Sequence, residues 1–186
     1  AITKVYGSDD FLVITYTPFS DLLSEDSLDG LRGLKKDLSE LKRIESVVSI
    51  LDVPLLNSPK IKISDLESNK RTLETPGLDK KLAKVEFMES PIYRKLLASP
   101  DGKTTSLLAI YKRDKKYYSL IAKRNYLREK KINQGFLTTE EKMELREVSL
   151  KFKEYLADIQ DIQREEIKQV RLILDKYRDK AKIFLG

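Results

Sequence analysis

The sequence predicts an α+β fold: a four-stranded sheet in a mixed α/β arrangement, entered as strand-helix-strand and again as strand-helix-strand, with a long helical insertion before the second core helix. Three observations carry that reading. Short β-branched and aromatic runs stand at Phe11–Tyr16, Val47–Leu51 and Thr104–Tyr111. Leucines recur at three- and four-residue steps directly after the first run. A polar segment of more than sixty residues ahead of the last apolar run keeps helical periodicity throughout.

Phe11-Leu12-Val13-Ile14-Thr15-Tyr16, stopped by Pro18, reads as a strand buried on both faces. Leu28, Leu31, Leu34, Leu38 and Leu41 then form one helical face, with Ser24 as cap and Glu25 and Asp26 in an acidic first turn. Val47-Val48-Ser49-Ile50-Leu51 supplies the second strand, ended by Pro54. Residues 54–103 read as an irregular insertion, in which Ser90-Pro91 starts a short helix carrying Tyr93, Leu96 and Leu97 inward and Asp101-Gly102 makes a turn. Thr104–Tyr111 is the third strand.

Residues 115–133 are predicted helical, with Tyr117, Leu120, Ile121 and Leu127 on one side and Lys116, Lys123 and Lys130 on another, ended by Gly135. Thr138 and Glu141 form a capping box opening a helix that runs to about Lys180, about 60 Å at 1.5 Å per residue. Along it Leu145, Val148, Phe152, Tyr155, Ile159 and Ile162 keep the three-four alternation of a hairpin seam; beyond them Ile167, Val170, Ile173, Leu174 and Tyr177 restart on a shifted face, as expected where the helix turns from a helical partner to a sheet. Ile183-Phe184-Leu185 begins the last strand. The count is βαββαβ, the ferredoxin-like, split βαβ order, with strands arranged 4-1-3-2. The expected parts are an α/β core over 1–114 and 163–186, containing the irregular insertion 54–103, and a protruding antiparallel helical hairpin over 115–162. Phe11, Val13, Leu31, Leu38, Val48, Leu108, Ile110, Val170 and Ile173 are the expected core.

At 186 residues the chain can bury a core, and nothing in it approaches the roughly 18 to 20 uninterrupted apolar residues of a membrane span. It has no cysteine, hence no disulfide or thiolate chemistry, and no histidine, the commonest general base and metal ligand. A Ser-His-Asp triad is excluded, and no SxxK motif replaces it. Gly30 and Gly33 sit inside a helix without the context of a phosphate-cradling loop, so they serve close packing or are tolerated. Asp9-Asp10, Asp52 and Glu86-Glu89 lie near apolar strands without calcium-loop spacing, and read as turn caps and solvated strand ends. No enzymatic activity, metal or cofactor is expected.

The net charge of +6 is uneven: residues 112–131 hold nine Lys or Arg against two acids, a local +7, which leaves the remainder at −1. Tyr111, Tyr117, Tyr118 and Tyr126 interleave with these cations, a pattern compatible with single-stranded nucleic acid. Tyr117, however, shares the apolar side with Leu120 and Ile121, so the reading is a solvated ridge of Lys116, Lys123 and Lys130, a candidate partner or lipid-headgroup surface. No nucleic-acid partner is expected.

The pieces Gly7-Ser8-Asp9-Asp10, Ile44-Glu45-Ser46-Val47 through Asp52-Val53-Pro54-Leu55, Ser90-Pro91-Ile92-Tyr93, Asp101-Gly102-Lys103-Thr104-Thr105, Leu137-Thr138-Thr139-Glu140-Glu141 and Ile183-Phe184-Leu185-Gly186, in that order, resemble the first extracytoplasmic loop of exporters of the resistance-nodulation-division (RND) superfamily, of the Patched-like, MMPL type. The resemblance implies a porter-type subdomain on the periplasmic side of the bacterial inner membrane. Its partners would be the transmembrane helices and second periplasmic loop of the same chain, a hydrophobic or lipid-like substrate, and a homo-oligomeric or periplasmic partner reached through the hairpin. The rival readings are a coiled-coil scaffold or adaptor and a small basic RNA-binding domain; the third strand, Thr105–Tyr111, lacks the glycine and aromatic spacing of the latter.

Overall fold

A computed structural model describes residues 11–55, 71–91, 93 and 97–186. Asp9-Asp10, Ile92 and Leu96 lie outside the described residues. The chain divides into two compact units, one ending at Lys112 and resuming at Val170, the other Arg113–Gln169.

The first unit is α+β. Its strands are β1 (Phe11–Pro18), β2 (Ile44–Val48), β3 (Thr105–Tyr111) and β4 (Ala181–Leu185), in one sheet of order β2-β3-β1-β4 with every pairing antiparallel. The two most continuous apolar runs, β1 and β3, are central, where strands lose most surface to neighbours.

Side-chain alternation then sorts the faces. Ile14 stands opposite Leu107 and Leu185, and Tyr16 opposite Thr105 and Ile183, all on one face. Helix α1 (Glu25–Ser39) covers that face with Leu28, Leu31, Leu34 and Leu38, all fully buried. It starts where the sequence places it: the Ser24 side chain accepts the Ser27 N–H.

Along β1 and β4 the opposite face is less covered, which corrects the expectation of a first strand buried on both sides. Phe11 is 42% exposed, Phe184 on β4 is 65% exposed and Val13 is only partly buried, although Leu108 and Ile110 of β3 on the same face are buried; Ile173 of α4 is also only partly buried. Of the expected core, Leu31, Leu38, Val48, Leu108, Ile110 and Val170 are buried. Phe11 is exposed although its partner Ile110 is buried, because it stands at the start of β1 beyond the stretch Ile14–Pro18 that pairs with β4.

Two boundaries also move. The second strand lies three residues upstream of the expected Val47–Leu51, because Ser49 and Asp52 fold the chain on itself. The Asp52 carboxylate accepts the Ser49 N–H at 2.9 Å and its hydroxyl at 3.1 Å, and Ser49 Oγ accepts the Leu51 N–H. That local network satisfies donors a strand would have offered to a neighbour. The segment 54–103 is not wholly irregular either, since Lys80–Glu89 forms a helix, α2, capped by Asp79. Its signal is weak because lysines occupy the first turn, against the helix dipole, and because it buries Ala83, Glu86 and Phe87 while leaving Leu82 and Val85 about half exposed. Most of the short helix expected after Ser90-Pro91 lies outside the described residues; Tyr93 and Leu97 are buried, and the Leu97 N–H donates to the Tyr93 carbonyl at 2.9 Å.

The second unit contains α3 (Lys115–Gln134) and most of α4 (Thr139–Asp175), which ends five residues short of the expected Lys180. Asp114 caps α3 through the Tyr117 N–H, and Gly135 ends it with φ 79°. Thr138 Oγ1 accepts the Glu141 N–H while the Glu141 carboxylate accepts the Thr138 N–H, a reciprocal box. The last turns of α4 belong to the first unit, where Val170 and Leu174 join the core.

Candidate functional site

The lysine row of α3 is where the sequence points, and the structure gives each member a partner on α4. Lys116 places its ammonium 4.4 Å from the centre of the Tyr155 ring. Lys123 pairs with Glu144 at 2.5 Å, and Lys130 pairs with Glu141. These contacts run in opposite order along the two helices, and two more keep the trend: Tyr117 packs on Phe152 at 5.6 Å and the Tyr155 hydroxyl donates to Asp114 at 2.7 Å. Leu127, Leu137, Val148 and Phe152 are buried between them.

The lysine ridge is exposed as expected at Lys116 and Lys123 and partly buried at Lys130, but its members are engaged with α4 rather than free. Seven-residue spacing put the three lysines on one stripe, but that stripe flanks the apolar seam, within reach of the carboxylates across it. Hydrogen bonding by Glu144 and Glu141 raises the affinity of Lys123 and Lys130 for their protons, and Lys130 with the Thr138 N–H holds the Glu141 carboxyl below its usual range.

Three of the four tyrosines are also occupied within the chain. Arg43 lies over Tyr111 at 5.4 Å, Arg113 over Tyr118 at 4.7 Å, and Tyr117 stacks on Phe152. Tyr126 is 63% exposed. Arg124 lays its guanidinium 4.1 Å from the Phe152 ring centre, a cation spent on packing. A cavity of about 320 Å³ is lined by Lys116 and Leu120 of α3 and by Lys151, Glu154, Tyr155 and Asp158 of α4.

The acidic positions give no centre. Asp52 pairs with Lys35 and caps its own turn, while Glu86 is buried rather than solvated. Among the described residues no three His, Cys, Asp or Glu side chains are grouped so as to hold a metal ion. Gly30 has a packing reason: a β-carbon there would collide with the Tyr16 hydroxyl, and one at Gly33 would stand 2.8 Å from that of Tyr177.

Sequence periodicity passed over the connection between α3 and α4. Ile132, Phe136 and Met143 are 78%, 65% and 63% exposed there, while Leu137 among them is buried. The only signal for them is that they fall on no helical stripe. No helix among the described residues is long and apolar enough to cross a membrane. No family model, curated protein or solved structure matches the chain.

Proposed function

We propose that the chain is a periplasmic, porter-like domain of an RND-superfamily exporter of the Patched-like, MMPL type, helping to form the extracytoplasmic path of a hydrophobic or amphiphilic substrate. The observation that carries the proposal is the sheet order β2-β3-β1-β4, all antiparallel, with its crossovers through α1 and the end of α4. It agrees with the ferredoxin-like order that the resemblance implies. On this reading α3 and the first part of α4 form an antiparallel helical hairpin inserted before the second core crossover, supported by the opposed order of Lys130–Glu141, Lys123–Glu144 and Tyr117–Phe152.

A sheet of this kind serves many unrelated proteins, so the fold alone does not assign a role. The ordered sequence pieces narrow it. The half-exposed Phe11 and Phe184 on the far sheet face further suit a domain that packs against other parts of a larger assembly. Its contribution is mechanical: a rigid sheet carries the load, and proton coupling resides in transmembrane carboxylates of the larger protein.

The gene around this segment tests the reading. An exporter requires an apolar span of about 20 residues shortly before Ala1 and several spans soon after Gly186. A flanking sequence without such spans overturns the proposal.

A further inference from the structure

We infer that the connection between α3 and α4 docks on an anionic lipid surface, with Ile132, Phe136 and Met143 entering the interface and Arg128, Lys131 and Lys142 meeting the headgroups. Ile132 lies in the last turn of α3, Phe136 follows the Gly135 cap, and Met143 stands in the second turn of α4. Three large apolar side chains, each more than 60% exposed, thus fall within twelve residues around one connection. The connection itself is held by the Gly135 cap, the Thr138–Glu141 box, the Lys130–Glu141 pair and the buried Leu137, so the apolar side chains are presented on a fixed backbone.

Charge says what they meet. Residues 113–169 carry 14 Lys or Arg against 11 Asp or Glu, a net +3. Residues 123–146 hold seven of those cations and four of the acids, also +3, so the remainder of the unit is neutral and the whole excess gathers around the connection. Lys123 and Lys130 are neutralised by Glu144 and Glu141, and Arg124 lies on Phe152. Arg128, Lys131, Lys142 and Arg146 are exposed around the apolar tip, against the exposed acids Glu129 and Glu140.

Apolar side chains flanked by an excess of long cationic ones suit a bilayer interface, where lysine and arginine stems run along the acyl boundary and their heads reach phosphate. The cores of protein–protein interfaces, by contrast, are depleted in lysine. A few apolar groups alone bind membranes marginally, and the adjacent cations supply the second attraction that stable docking needs.

The test uses the whole chain with vesicles of phosphatidylcholine alone or mixed with phosphatidylglycerol. Sedimentation should show binding to the mixed vesicles and little to the neutral ones. Phe136→Ser should weaken it about tenfold or more through lost apolar burial, and Lys131→Glu with Lys142→Glu about tenfold or more through reversed charge. Leu172→Ser, which removes another exposed apolar side chain away from the connection, should bind as the parent does. The chain has no tryptophan, so Phe136→Trp gives a single reporter whose emission should shift to the blue and be quenched by brominated lipid. Circular dichroism establishes that each variant is folded. Absence of binding by the folded parent, binding during which the tryptophan at 136 stays in water, or binding indifferent to Phe136→Ser would each overturn the inference. Concentration-dependent self-association without lipid, abolished by Phe136→Ser, would overturn it in favour of a second copy of the chain as the occupant.

Discussion

Tyr16 joins the sheet to its helix layer: fully buried, it points its hydroxyl at the Ser27 carbonyl, 3.1 Å away, across the space that Gly30 leaves open. Burial, with the nearby Asp26 and Asp179 charges, pushes its pKa from 10.0 up to about 12. The folded state therefore holds this proton more tightly than the unfolded state. Its contribution to stability is complete below pH 10 and is lost as pH rises toward 12. Thermal melts over that range should show a fall in stability that Tyr16→Phe flattens, while the variant loses about 1 kcal/mol at neutral pH with its hydrogen bond. Gly30→Ala should cost more, about 1–3 kcal/mol, because the new methyl meets a buried hydroxyl held on the Ser27 carbonyl. Equal denaturation midpoints for Gly30→Ala and the parent would show that the helix can lift without loss.

Among the elements, α4 has two jobs, since its first part packs on α3 and its last turns on the sheet. The seam with α3 was expected to reach Ile162, but Asp114 caps α3 opposite Tyr155, and Ile162 is left 49% exposed. A charge at Val148, which is 4% exposed, should loosen the α3 pairing at a cost of at least about 1.5 kcal/mol from lost apolar burial alone. Amide exchange in Val148→Asp should then rise across 113–169 and stay slow in β1 and β3; an equal rise in both would mean that the units open together. The Glu141 carboxyl is held below its usual range by Lys130 and the Thr138 N–H. A depressed carboxyl stabilises the fold above its unfolded value and ceases to do so as pH falls through the folded one. Helicity followed by circular dichroism should therefore decline below about pH 4, and Glu141→Gln should be less stable at neutral pH and less sensitive to acid.

For the whole molecule, the +6 charge invites a nucleic-acid reading that the side-chain arrangement weakens. Two lysines of the basic helix are paired with glutamates, and three tyrosines are engaged inside the chain. Single-stranded RNA should bind weakly, and with about five phosphate contacts the affinity should fall about a hundredfold between roughly 50 and 200 mM salt. Filter binding across salt measures this. Sub-micromolar, sequence-selective binding that survives physiological salt would favour an RNA-binding module over the exporter reading.

Periodicity and capping alone determined much of the molecule, because they are local. The Leu28–Leu38 face, the Ser24 cap, the Gly135 stop and the Thr138–Glu141 box stand where their residues place them. Local competition was harder to read: Ser49 and Asp52 ended the second strand three residues before the point to which β-propensity carries it, and a helix with lysines in its first turn lay hidden at 80–89. Only tertiary packing decided which alternate residues of β1 face the helices, since both faces of the run are apolar. It also decided that Lys123 and Lys130 meet glutamates, because the distance between groups on different helices is set by the seam between them and not by their spacing along either chain.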